Sequence, residues 1–180
     1  MRVTGGTARG RRLKVPRGIR PTSDLVRGAI FDALDAQGVD RSRVLDLYAG
    51  SGALGIEALS RGSDWCDFVE RDAAGAAAIR ENLALTGLEA RAQVHRLPVE
   101  RAAQRLEGRY TLVLADPPYA DEAAEAALAA IAEPALLAPG ATLVLEHSSR
   151  RAAPETLGPL PLAWRRRYGD TEVSIYRAEE

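Results

Sequence analysis

Residues 44–59 read VLDLYAGSGALGIEAL. The apolar run Val44–Tyr48 carries one acid, Asp46, and leads into Gly50, Gly52 and Gly55, after which apolar residues recur at helical spacing. Strand, glycine turn and helix in that order form the opening unit of an open α/β sheet, in which the glycines let backbone approach a ligand closely. The spacing fits G-x-G-x-x-G. Glu70 ends the next apolar run, where an acid can accept both hydroxyls of a ribose. The same glycines would also serve a loop that only packs a helix tightly on a strand. The motif alone does not separate a dinucleotide from another adenosine cofactor. Asp46 separates them: a carboxylate there repels a pyrophosphate and complements a ligand bearing an ammonium and a sulfonium, directly or through water. The plainer role for Asp46 is to cap the turn.

Working outward from this unit, strands and helices alternate. Strands are predicted at Trp65–Glu70, Ala90–Arg96, Tyr110–Asp116 and Thr142–His147, and helices at Ala73–Thr86, Val99–Leu106 and Asp121–Leu137, the last with Pro134 as a break point. Continuous apolar strands alternating with helices indicate a parallel, doubly wound sheet. Leu162–Tyr168 and Thr171–Arg177 flank Gly169-Asp170, a turn pair that suits an antiparallel hairpin. Before the core, PTSD at 21–24 opens a helix with Thr22 or Ser23 as its N-cap, and Gly38 suits its end. Residues 1–38 are expected as a basic extension packed on a core of residues 39–180, with short β-like pieces at Arg2–Thr4 and Arg11–Val15.

A chain of 180 residues suits one domain with a substantial core. No apolar run approaches the roughly 18 residues of a membrane span, and the N-terminus MRVTGGTARG lacks a signal-peptide core, so a cytoplasmic protein is expected. Cys66 stands alone and reads as a small core residue, and no metal site is expected. The net charge of −1 says nothing about nucleic acid, but its distribution does. Up to residue 27 the chain carries Arg2, Arg9, Arg11, Arg12, Lys14, Arg17, Arg20 and Arg27 against one acid, Asp24. Such a segment is either a solvated, partly flexible tail or an arm for phosphates.

The fourth strand ends in LADPPY, residues 114–119. Prolines cannot donate to a ladder, so as a strand end this is a breaker. Placed at the carboxyl ends of the central strands, where open sheets bind ligands, it reads differently. Asp116 offers a carboxylate and Pro117 a carbonyl to the N–H groups of an exocyclic amine, favouring a tetrahedral nitrogen with its lone pair free. The prolines restrict the loop and leave no N–H unsatisfied. Tyr119 offers a face on which a flipped base can stack.

VTGGTARGRRLKVP, RPTSDLVRGAIFDAL, LDLYAGSGALGIEALSRG, FVERD, LADPPY and YGDTEVSIY together resemble the bacterial 16S ribosomal RNA guanine-N(2)-methyltransferases of the RsmD type. D-P-P-Y alone is shared with many amino-methyltransferases. The N-terminal segments are more specific. The resemblance implies a class I S-adenosylmethionine (SAM)-dependent methyltransferase with a Rossmann-like, mostly parallel seven-stranded sheet. It implies that Asp46, Gly50 and Gly52 line the methionine side of SAM, that Glu70 binds ribose, and that Arg71 flanks adenosine. Asp116, Pro117 and Tyr119 would hold the guanine. Arg9, Arg11, Arg12, Lys14, Arg20 and Arg27 would grip the RNA, within a small-subunit particle, and the enzyme would act as a monomer. The sequence departs from related enzymes at Leu97-Pro98, which offers the adenine amine no side-chain acceptor and leaves recognition to backbone groups such as the Val99 N–H or to packing. Gly28 stands where a larger helix former is usual. A different target (another RNA, DNA adenine or protein glutamine), an NAD-dependent dehydrogenase and a non-catalytic RNA-binding protein are the competing readings.

Overall fold

The computed structural model describes residues 1–118 and 121–178. Tyr119, with the stacking role expected of it, lies outside the described residues. The elements follow as α1 (Asp24–Ala36), β1 (Arg43–Leu47), α2 (Ala53–Ser60), β2 (Trp65–Val69), α3 (Ala73–Thr86), β3 (Ala92–His95), α4 (Val99–Arg105), β4 (Tyr110–Ala115), α5 (Ala124–Ile131), β5 (Leu137–Ser148), β6 (Thr156–Leu157), β7 (Leu160–Tyr168) and β8 (Thr171–Arg177). One sheet of order β3-β2-β1-β4-β5-β8-β7-β6 contains all eight strands. β3, β2, β1, β4 and β5 run parallel, and β8, β7 and β6 are added antiparallel. The expected seven strands are all present. The eighth, β6, is a two-residue edge piece too short to carry a periodic signal.

Alternation along the strands divides the core between two faces. Val44, Cys66, Phe68, Leu112, Leu114 and Val144 pack on one side with α1, α2 and α3. Leu45, Leu47, Val69, Val113, Ala115, Leu143 and Leu145 pack on the other with α4 and α5. Both faces are covered, which is why the parallel strands read as unbroken apolar runs. Cys66 is fully buried among them.

The helix predicted over Asp121–Leu137 is shorter, because α5 ends at Ile131, before Pro134, and β5 starts at Leu137. Pro139 and Gly140 are accommodated in β5 where its pairing with β4 shifts register between Tyr110 and Leu112.

The N-terminal arm is bound to the core along its length. Val3, Ala8 and Leu13 are buried in the α1–α3 side of the core. The Thr7 N–H donates to the Ser60 carbonyl at 2.8 Å and the Ala8 N–H to Ser60 Oγ at 2.9 Å. Asn82 accepts the Lys14 N–H at 2.8 Å and donates back to the Lys14 carbonyl at 2.9 Å. The predicted β-like pieces reduce to one antiparallel bridge between Arg2 and Arg12.

Arg27 corrects one expectation. It is fully buried, so it is not a surface cation available to RNA. Its Nε donates to Glu57 Oε1 at 3.1 Å, Nη1 to the Thr22 carbonyl at 3.2 Å and Nη2 to Asp24 at 2.7 Å and to the Arg2 carbonyl. Its partner Glu57, also fully buried, accepts in addition from the Thr4 N–H, the Thr4 hydroxyl and the Gly5 N–H. Burial alone would push the Glu57 carboxyl up, but these bonds outweigh it and hold it below the usual range.

Two stability outcomes follow from this packing. Arg27→Met removes one partner of a buried pair and leaves Glu57 with Arg61, whose Nε donates to its Oε2 at 3.2 Å, as its remaining cation. Urea unfolding should therefore show a loss toward the lower end of about 3–5 kcal/mol; a loss under about 1 kcal/mol would contradict the assignment. Gly28→Ala should raise stability by about 0.5–1 kcal/mol in the same measurement, because a Cβ at Gly28 meets only Thr4 Oγ1, at 3.8 Å, and helix propensity is gained.

Candidate active site

The chain leaves β1 for α2 through residues 48–52, on the side of the sheet where β4 also ends. β1 pairs with β2 on one side and β4 on the other, so the crossovers diverge here and a crevice opens between the strand ends. Two residues mark the strain of the turn. Tyr48 has φ of 54°, an uncommon backbone state for a residue with a side chain, and Gly52 has φ of 80°. Gly55 is required for a different reason: a Cβ there would stand 2.4 Å from the Phe68 ring.

The amides of the glycine loop are spent inside the protein. Gly50 N–H donates to Glu70 Oε2 at 2.7 Å, Gly52 N–H to the Ala49 carbonyl at 2.7 Å and Gly55 N–H to Asp46 Oδ2 at 2.9 Å. A pyrophosphate bound at a glycine loop needs such amides pointing outward. Here an acid occupies two of the three. Glu70 also accepts the Asp72 N–H at 3.0 Å through Oε1, so each of its oxygens is fixed by one backbone bond and keeps further lone-pair capacity.

A cavity of about 440 Å³ opens in front of this loop. Gly50, Glu70, Arg71 and Val99 line it, together with Tyr48 and Asp116. Asp46 and Gly52 do not form its wall. Asp46 is 1% exposed and sits behind the loop, where burial pushes its carboxyl well up and nearby Glu70 adds to the rise, against the Gly55 hydrogen bond. Leu97 packs into the core beside α4 and α5, whereas Glu100, one residue past Val99, reaches the cavity. Tyr48 places a buried hydroxyl there that has no hydrogen-bond partner among the described residues.

A second recess, of about 140 Å³, also has Asp116 in its lining. Arg20, Pro21, Pro117 and Glu146 line it, and Asp116, Pro118 and Arg20 belong to both cavities. Asp116 therefore lines both. Its Oδ2 lies 3.1 Å from the Thr22 hydroxyl, which donates to Glu146 Oε2 at 2.7 Å. Burial pushes both carboxyls up, and the negative charge of Glu146 adds to the rise at Asp116. Arg20 opposes the rise at both.

Sequence reasoning misses Thr22 and Glu146 as site residues. Ser23 is the N-cap of α1, accepting the Val26 N–H at 3.2 Å, which leaves Thr22 to the carboxylates. Glu146 has a readable signal: like Asp116, it is an acid at the end of an apolar strand, ATLVLE. Arg9, Arg11, Arg12, Lys14 and Arg20 are exposed, and Lys14 pairs with Glu81. His147 bonds Ser174 at 2.9 Å and lines neither of these two cavities. Among the described residues no three His, Cys, Asp or Glu side chains cluster to hold a metal, and no helix is long and apolar enough to cross a membrane.

Known proteins resemble this chain over nearly its whole length. Ribosomal RNA small subunit methyltransferase D of Escherichia coli (strain K12) is 32% identical over 99% of this chain and 90% of its own. A relative from Bacillus subtilis (strain 168), YlbH, is 41% identical over 98% of each chain. The solved structure of yhhF from Escherichia coli superposes with a TM-score of 0.85 at 32% identity, covering 99% of this chain and 98% of that one. The RsmC methyltransferase of T. thermophilus, solved with AdoMet and guanosine, shares the fold, with a TM-score of 0.68 at 22% identity over 91% of this chain and 44% of that one. The family described as conserved hypothetical protein 95 matches residues 1–177, and with these full-length relatives the chain belongs to that family of RsmD-like methyltransferases.

Proposed function

We propose that the protein transfers a methyl group from SAM to the exocyclic 2-amine of a guanine in 16S ribosomal RNA. The observation that carries this reading is that one carboxylate, Asp116, borders both an adenosine-sized crevice and a second recess. Group transfer needs a donor and an acceptor on two sides of one reacting point. The name of the full-length Escherichia coli relative supports ribosomal RNA as the target.

The residues present fit SAM better than a dinucleotide. The loop amides are turned inward, and acids, not cations, stand behind them. In this reading Glu70 accepts the ribose hydroxyls, Arg71 flanks the adenosine, and Val69 and Val99 give the adenine apolar contact. Glu100 supplies the acceptor for the adenine amine that Leu97 lacks. Asp46 supports the methionine side through the loop it braces. SAM supplies a methyl already activated on a sulfonium, so the protein's task is to present the nucleophile.

The guanine amine is a poor nucleophile because its lone pair is delocalised into the ring. The Asp116 carboxylate and the Pro117 carbonyl accept its two N–H groups, which favours a tetrahedral nitrogen and aims the lone pair at the first cavity. Pro117 is buried and Asp116 nearly so, which strengthens these bonds. Tyr119 stacks the flipped base, worth about 1–3 kcal/mol. After transfer the alkylated nitrogen carries an extra proton, and Asp116 is the acceptor beside it. Exposed Arg9, Arg11, Arg12, Lys14 and Arg20 meet RNA phosphates, within a small-subunit particle approached by a monomeric enzyme.

Asp116→Ala should abolish methyl transfer to unmodified small subunits while SAM affinity by calorimetry stays within a few-fold; an active mutant refutes the role of Asp116. In the wild type, transfer should fall as pH falls through a range above ordinary carboxylate titration, since a protonated Asp116 accepts the amine poorly; a rate flat down to that ordinary range would count against it. Replacing Arg9, Arg11 and Arg12 together with Ala should weaken RNA binding and lower the salt slope by about 0.7–0.9 for each phosphate no longer neutralised. An unchanged slope would show that the arm is not the phosphate grip.

A further inference from the structure

The recess beyond Asp116 contains a second carboxylate that methyl transfer itself does not require. Glu146 comes from β5, the neighbour of β4 in the sheet, and is 5% exposed at the back of the recess. Its position is built. β5 continues past it into His147, and the Thr22 hydroxyl, from the segment before α1, donates to its Oε2 at 2.7 Å. The same hydroxyl reaches Asp116 Oδ2 at 3.1 Å, so Thr22 spans the two acids and sets their separation. Thr22 is held in turn by the Arg27 guanidinium at its carbonyl. A structural acid in this core could have been an apolar residue at lower cost, because burying a carboxyl without a full set of partners is unfavourable.

Resting on the guanine reading above, we propose that Glu146 is a specificity-determining residue that accepts the ring N1–H of the target guanine while Asp116 and the Pro117 carbonyl hold its 2-amine. On the Watson–Crick edge of guanine the 2-amine and N1–H are adjacent donors, and two adjacent acceptors match them. Adenine presents one amine and, beside it, an acceptor nitrogen. Against Glu146 that nitrogen meets another acceptor and leaves both desolvated without a hydrogen bond. The carboxylate pair thus selects a donor–donor edge, and Arg20, on the rim of the same recess, offsets their charge. A site built to take a substrate N–H rejects an analogue lacking it far more strongly than an apolar pocket rejects a change of shape.

The test places 2-aminopurine, which keeps the 2-amine but has an unprotonated N1, at the target position of the RNA. Wild type should methylate it with kcat/KM about 100-fold or more below guanine. Glu146→Gln, whose amide can donate to that bare N1, should narrow the gap to about tenfold while SAM affinity is unchanged. A wild type that uses both bases within a few-fold, or a Glu146→Gln enzyme that keeps the whole gap, overturns the proposal. If Glu146→Gln does not fold, Glu146→Asp carries the test: withdrawing the carboxyl by one methylene should cut kcat/KM on guanine at least about tenfold with SAM affinity unchanged, and an undiminished rate overturns the proposal. Mass spectrometry of the wild-type product separates the two readings. N2-methylguanine with no dependence on Glu146 sinks only this inference, whereas methylation of another base sinks the guanine reading itself.

Discussion

The buried pair of Arg27 and Glu57 is the constraint on which the site's geometry rests. Two charges that are both fully buried persist only when nearly every lone pair and proton is matched, and here the matching is done by the N-terminal segment together with Arg61 at the end of α2. Glu57, on α2, collects the amides of Thr4 and Gly5. Arg27, on α1, collects the carbonyls of Arg2 and Thr22. The arm is thereby pinned to the helix that follows the glycine loop. Thr22, pinned through its carbonyl, presents its hydroxyl to Asp116 and Glu146. One ion pair thus links the loop at the end of β1 to the acids at the ends of β4 and β5.

This linkage explains which features could be read from the sequence. The glycine loop, the strand–helix alternation and D-P-P-Y are dictated locally: positive φ, missing donors and unbroken apolar strand runs leave marks within a few residues. Ser23 as N-cap and Gly87 as the end of α3 are local in the same way. Arg27 reads as a surface cation because its charge is visible in the sequence and its burial is not. Its partners Glu57 and Arg2 are 30 and 25 residues away and meet it only in the folded molecule. Thr22 is hidden behind its neighbour, since either hydroxyl satisfies the rule for a cap. The short α5 reflects a balance between an alanine-rich run that favours helix and the pull of β5 pairing from Leu137, a long-range contact that propensity cannot weigh.

The direction of the loop amides also bears on how one glycine motif serves different ligands. A helix N-terminus with outward amides carries positive potential and suits phosphate. In this protein Asp46 and Glu70 draw two of those amides inward and replace an anion site with one bordered by carboxylates. Asp46 is one residue of β1 and Glu70 follows β2, so the change of sign is made by side chains at strand ends within an unchanged strand–turn–helix unit. The cost is the desolvation of Asp46, visible in the strong upward push on its carboxyl.

That sign creates a problem for an RNA substrate, and charge separation along the chain answers it. A recess with Asp116 and Glu146 at its back disfavours phosphates, yet a base edge rich in N–H donors is attracted to the same acids. Under the proposed reading a nucleotide that enters leaves its phosphates outside and sends in only the neutral base. In that reading the exposed arginines of the N-terminal arm, with Arg20 lining both cavities, place positive charge where the phosphates remain. A net charge of −1 conceals this arrangement, because the acids that balance the arm are spread through the core and the site. In the proposed reading the basic arm and the acidic recess are two halves of one recognition device, attraction for the backbone outside and for the donor edge within, and Thr22 is the residue at which the two halves join.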